Sequence, residues 1–125
     1  MLKRVIAHNE MGGLSLPVNI LKADWASKTY VENNRTYLLA GHLLQVKNAG
    51  DDIRLKGVEV IPFAGTGQAD AVLLNDVELI WNKDNATGTA LVNGIVYLDK
   101  LQEVEATVTK AMLPLKIDYT SKSRV

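Results

Sequence analysis

The stretch from Gly65 to Leu101 constrains this chain more than any other. A small-residue approach, Gly65 to Ala71, leads into the apolar burst Ala71-Val72-Leu73-Leu74 and then an acidic step, Asn75-Asp76-Val77-Glu78. A polar loop, Asn82 to Gly88, separates these from a second apolar run, Ala90-Leu91-Val92, which continues after Asn93-Gly94 as Ile95-Val96-Tyr97-Leu98. Neither run is long enough for a membrane helix, and β-branched residues bounded by Gly and Asn favour strand over buried helix. The expectation is two buried strands joined across a solvated loop. Asn93-Gly94 reads either as a tight turn or as a bulge within one continuous strand.

At 125 residues, 47% of them hydrophobic, the chain is expected to bury one core without covalent staples. It has no cysteine, which removes disulfides, thiolate metal sites and thiol catalysis together. Lys plus Arg and Asp plus Glu number 14 each, so net charge supplies no pull toward nucleic acid or an anionic membrane. A balanced surface suits protein contact better. Met1-Leu2-Lys3-Arg4 leads only into Val5-Ile6-Ala7 before polar residues return, far short of a secretion signal's apolar region. Use without secretion is expected.

In the first twenty residues no period is sustained: short apolar pairs are split by His8-Asn9-Glu10 and Met11-Gly12-Gly13, and Pro17 removes a backbone donor. Two readings stand side by side, a mobile arm or an edge strand at Leu14 to Leu21. The arm reading divides the chain into residues 1–22 and a single β-rich domain, 23–125. Leu2, Val5, Ile6, Leu14, Leu16, Val18 and Ile20 give such an arm the apolar content of a segment that orders on a partner by adding a strand to a sheet edge.

Further on, Glu32-Asn33-Asn34 reads as a turn, followed by strands at Thr36 to Leu39 and Leu43 to Val46. Ala40-Gly41 between them marks a bend or a close approach of another backbone. Short strands are expected at Ile53 to Leu55 and Val58 to Ile61, the second ended by Pro62-Phe63. One helix is expected from Asp99, with Gln102 completing a capping box and Leu101, Val104, Val108 and Met112 at helical spacing. Pro114 stops it, and Leu115 to Tyr119 resumes alternation as a final short strand.

Motifs with chemical meaning fare poorly. His42 has no second His, Cys or clustered carboxylate beside it in sequence, so a packing or surface role outweighs catalysis. Gly65-Thr66-Gly67 lacks the preceding strand and further glycines of a phosphate loop. In Asn82 to Gly88, Ala86 fills a position where a calcium loop needs a ligand, and no glutamate closes the shell. Asn34-Arg35-Thr36 and Asn85-Ala86-Thr87 fit the glycosylation pattern, which means nothing without entry to the secretory pathway. The setting of Lys110 resembles that of the lysine in lipoyl and biotinyl carrier domains, yet it falls within the expected helix and not on a hairpin tip. No cofactor or metal is expected.

The ordered pieces Ala40-Gly41-His42-Leu43-Leu44, Val60-Ile61-Pro62, Gly67-Gln68-Ala69-Asp70-Ala71-Val72-Leu73-Leu74-Asn75-Asp76-Val77 and Ala90-Leu91-Val92-Asn93-Gly94-Ile95-Val96 together resemble the head-decoration proteins of tailed bacteriophages. These include the lambda type and the related base domain of head fibres. The resemblance spans about Tyr37 to Leu101, with His42 standing where a small or hydroxyl residue is usual and Ala71 where glycine is common. It implies a domain that is mainly β with a little α (α+β), assembled as a homotrimer on the outer capsid surface. There it would brace the major capsid protein against packaged DNA. In the lambda type an N-terminal arm adds a strand to the capsid sheet, which would make Leu2, Val5, Ile6, Leu14, Leu16, Val18 and Ile20 the shell-binding set. No contact with nucleic acid, membrane or small-molecule substrate is implied.

Three functions follow as expectations: a capsid cement protein, another virion part such as a head-fibre base or a tail or neck subunit, and an enzyme or ligand-binding domain with His42 near Asp51, Asp52 or Asp76.

Overall fold

The computed structural model describes residues 14–55, 57–65, 67–97, 101 and 117–120. The fold is mainly β. Strands β1 (Ser15–Leu21), β4 (Leu43–Val46), β5 (Glu59–Pro62), β6 (Ala71–Leu73) and β8 (Asn85–Leu91) close into a barrel in the order β1-β5-β4-β6-β8. Its seams are antiparallel except β1 with β5, which run parallel. Strands β2 (Tyr30–Glu32), β3 (Arg35–Leu38) and β7 (Val77–Leu79) form a second, antiparallel sheet. Strands β9 (Gly94–Tyr97) and β10 (Ile117–Thr120) form a parallel pair. A 3₁₀ helix, Lys22–Lys28, joins β1 to β2.

Side-chain alternation explains the two cores. Facing positions in register, Val46, Val60, Ile20 and Ala86, make one inward row around the barrel. On β8 the inward positions are all small, Ala86, Gly88 and Ala90, which lets the barrel stay narrow. A Cβ built on Gly88 would stand 2.7 Å from Ile20 Cδ1 and 3.1 Å from Leu73 Cδ1. The opposite row, Leu43–Val72–Leu91, points outward and is covered by Val96, Leu101 and Ile117. Strand β6 is therefore buried on both faces, and a strand so placed reads as an unbroken apolar run with no alternation.

Turn chemistry acts locally. Asn33 and Asn34 both lie at positive φ, 53° and 63°, as a two-residue type I′ turn demands, and they join β2 to β3 with Glu32 opposite Arg35. Asparagine tolerates that region because its short side chain is polar and compact.

Several expectations need correction. Ser15–Leu21 is a barrel strand, paired along its length with β8 and at Asn19 and Ile20 with β5, so a free arm to residue 22 does not describe it; the strand of the second reading is there, open on the β5 side only in its first half. Ile53 to Leu55 is turn, because the Asp52 carboxylate accepts the Arg54 backbone N–H at 2.9 Å and Leu55 N–H closes onto the Asp52 carbonyl at 2.9 Å. The polar loop after β7 ends sooner than its composition suggests: Asn85 to Gly88 belongs to β8, held by β1. Asn93-Gly94 is neither hairpin turn nor bulge, since β8 and β9 lie in different sheets. The helix expected from Asp99 falls outside the described residues apart from Leu101, which is buried.

Candidate functional site

The residues expected to bind a shell divide three ways. Leu2, Val5 and Ile6 lie outside the described residues. Leu14 is half exposed and Leu16 partly buried where the chain enters β1. Val18 and Ile20 are fully buried in the barrel core. Burial of a Val or Ile side chain contributes about 1.5–3 kcal/mol, so peeling β1 away onto a partner would forfeit both and its ladder with β8. These two are core residues of this domain.

Pro17 fits that placement. Val92 N–H donates to Leu14 C=O at 2.9 Å and Lys22 N–H to Asp84 C=O at 2.8 Å, which sets the even-numbered residues of β1 toward β8. Asn19 N–H points the other way, to Val58 C=O at 2.8 Å. By alternation the Pro17 nitrogen also faces away from β8, so its missing donor costs that ladder nothing. It faces the side where β5 has not yet begun, beside a recess of about 280 Å³ lined by Pro17, Val18, Asn19, Gly57 and Thr87.

The chemistry-bearing residues of the middle of the chain gather around β6. Gly41 N–H donates to Leu73 C=O at 2.8 Å, and Leu73 N–H donates to His42 C=O at 2.8 Å. Two residues thus oppose one, a bulge whose first position, Gly41 at φ 102°, is the one that favours glycine. The bulge directs the buried His42 ring edge-on against Trp25, with centroids 5.6 Å apart. Trp25, fully buried from the 3₁₀ helix, donates its Nε1–H to the Val60 carbonyl at 3.0 Å.

Both aspartates flanking β6 point their carboxylates at backbone. Asp76 Oδ1 accepts the Ala40 N–H at 2.7 Å, and Asp70 Oδ2 accepts the Val46 N–H at 2.9 Å. Together they fasten the two ends of the segment from Ala40 to Val46. Asp24 Oδ2, buried, is met by Lys47 Nζ at 3.1 Å, and Lys47 lies 3.8 Å from Glu59. At the surface, Arg54 grips Asp52 with its side chain and backbone N–H, which holds the Asp52 carboxyl down at about 2. Of the three carboxylates considered as partners for His42, the structure brings Asp76 to the bulge segment and commits Asp52 to Arg54.

The features that sequence reasoning missed are exposed and apolar. Trp81 is 88% exposed and Val31 63%, with Ile80 beside Trp81 also exposed. A tryptophan heading the polar stretch Asn82-Lys83-Asp84 is the signal that could have drawn notice.

Comparison with protein-family models, with curated proteins and with solved structures found no match to this chain.

Proposed function

We propose that this chain is a capsid decoration protein of a tailed bacteriophage, seated as a homotrimer on the outside of the head and bracing the major capsid protein. The support is the resemblance together with the work its residues do. The observation that carries it is the stretch Gln68 to Val77: Asp70 and Asp76 fasten backbone, and Ala71 to Leu73 is packed on both faces. The pieces of the resemblance thus build one rigid unit, bulge against strand, in which His42 packs on Trp25. A cement protein acts through shape, and a small closed barrel suits that task because a packed interior transmits load without yielding.

On this reading the shell contacts come from Leu2, Val5, Ile6, the exposed Leu14 and the partly buried Leu16, with Val18 and Ile20 removed from the set by burial. Each backbone hydrogen bond in an added strand contributes about 0.5–1.5 kcal/mol net, and many copies on one shell multiply that modest sum.

The test is electron microscopy of expanded empty heads mixed with the chain, alongside its mass in solution. Density at three-fold or quasi-three-fold positions is expected. Deleting residues 1–13, which spares all of β1, should lower occupancy. Heads left bare at saturating protein would sink the proposal.

A further inference from the structure

Asn93-Gly94 has the composition of a hairpin turn and makes none, since β8 and β9 belong to different sheets. The pair needs another account. Nine asparagines occur in the chain and Asn93 is the one followed by glycine, while no Asp-Gly pair occurs. That spacing has its own chemistry. A glycine nitrogen, with no Cβ beside it to crowd a ring, is the backbone nitrogen best able to reach the side-chain carbonyl carbon of the residue before it. Asparagine counts among the thermolabile residues.

The fold restrains several of the other asparagines and leaves this one to react. Asn33 and Asn34 are held at positive φ inside a closed type I′ turn, and Asn19 and Asn85 are paired within β1 and β8. Asn93 does not share that positive φ, is exposed, and lies at a bend between two ladders, because β8 ends at Leu91 and β9 begins at Gly94. Both flanks are fixed. Val92 N–H donates to Leu14 C=O at 2.9 Å, and Gly94 stands in register with Ile117 of β10. Beyond it, Val96 and Ile117 cover the outward row Leu43–Val72–Leu91.

We propose that Asn93 is a site of spontaneous backbone modification, a chemical timer set where the chain leaves the barrel. The Gly94 nitrogen gives its proton to solvent and bonds to Asn93 Cγ, the side-chain nitrogen takes up a proton and departs as ammonia, and a five-membered succinimide closes. Water then opens the ring at either carbonyl. One opening gives aspartate, and the other gives isoaspartate, whose main chain runs through the former side-chain methylene. Nothing is oxidised or reduced. Both products add a negative charge, but isoaspartate also adds one carbon to the main chain between two fixed points. That extra length shifts β9 against β10 or lifts Val96 from the row it covers, because a packed register has no slack to absorb it. This site stands independently of the capsid reading.

The test is ageing of the full chain in warm, mildly alkaline buffer, followed by peptide mapping and by enzymatic methylation of isoaspartyl carboxylates. A gain of one dalton confined to the peptide that holds Asn93, part of it as isoaspartate, is expected. Asn93→Gln should remove the gain over the same period, since its ring would need six members, and Gly94→Ala should slow it about tenfold or more. The isoaspartyl fraction should melt below the fresh chain, whereas Asn93→Asp, made directly, should melt with it. A blocked Val-Asn-Gly-Ile peptide sets the clock: complete conversion of the peptide while Asn93 stays intact in the chain would overturn the proposal. So would earlier conversion at Asn75 or Asn82, or an isoaspartyl form that melts with the fresh chain.

Discussion

The carboxylate of Asp76 accepts the backbone N–H of Ala40 at 2.7 Å, bridging the turn just before β7 to the bulge at the head of β4. A charged acceptor on a partly buried amide contributes about 1.5–3 kcal/mol. Asp76→Ala should cost about that much by urea denaturation, and Asp76→Asn, which keeps an oxygen but no charge, less. Equal and negligible losses would show that the contact does not hold the bulge.

Gly88 is required by its neighbours. Its missing Cβ would meet the Cδ1 atoms of Ile20 and Leu73, the ends of two fully buried side chains that would have to shift. Gly88→Ala should destabilise by about 1–3 kcal/mol through overpacking. Pairing it with Ile20→Val, which deletes the Cδ1 in contact, should recover part of the loss. A double-mutant cycle with purely additive terms would refute the steric account.

In β1, adjacent positions should respond very differently to proline. Pro17→Ala leaves every bond to β8 in place and should cost no more than about 1 kcal/mol, through the unfolded chain's entropy. Val18→Pro removes a donor that faces Gly88 and should cost about 3 kcal/mol or more. Thermal or urea unfolding decides it, and similar losses at the two sites would overturn the register.

Lys47 answers the Asp24 carboxylate from a partly exposed position. Lys47→Met keeps the stem and deletes the charge, so a loss of about 1 kcal/mol is expected, shrinking as salt rises. The double change Asp24→Asn with Lys47→Met should restore some of it. A loss that is insensitive to salt would point to packing instead.

The Asp52 carboxyl is held at about 2, against an ordinary 3.8, first by the Arg54 side chain and then by the Arg54 backbone N–H. A depressed pKa stabilises the fold above the unfolded value, and that contribution disappears as pH falls from about 4 toward 2. Both groups are exposed, so the effect on unfolding should be slight, and the direct observable is an NMR titration. Arg54→Ala should bring Asp52 most of the way back toward its ordinary value. An unchanged midpoint would remove Arg54 as the cause.

What could be read from the residues was whatever depends on near neighbours. Asn33-Asn34 announces its turn because both residues tolerate positive φ, and Ala71 to Leu74 announces a strand buried on both faces because nothing polar interrupts it. Gly41 likewise marks the bend where another backbone, that of Leu73, comes close. Partners distant in sequence could not be read that way. Leu14 to Ile20 has the apolar content of either an arm or a strand, and only the register with Asn85 to Leu91 turns Val18 and Ile20 inward. Asn93-Gly94 has hairpin composition, yet the pairing of β9 with β10 carries it into another sheet. Asp76 read as part of an acidic step and Asp70 as part of a small-residue approach until folding placed them on the amides of Ala40 and Val46. Turn and strand preferences are short-range energies written in each residue, whereas pairing is decided by which distant surfaces close a barrel without leaving apolar area or backbone groups uncovered.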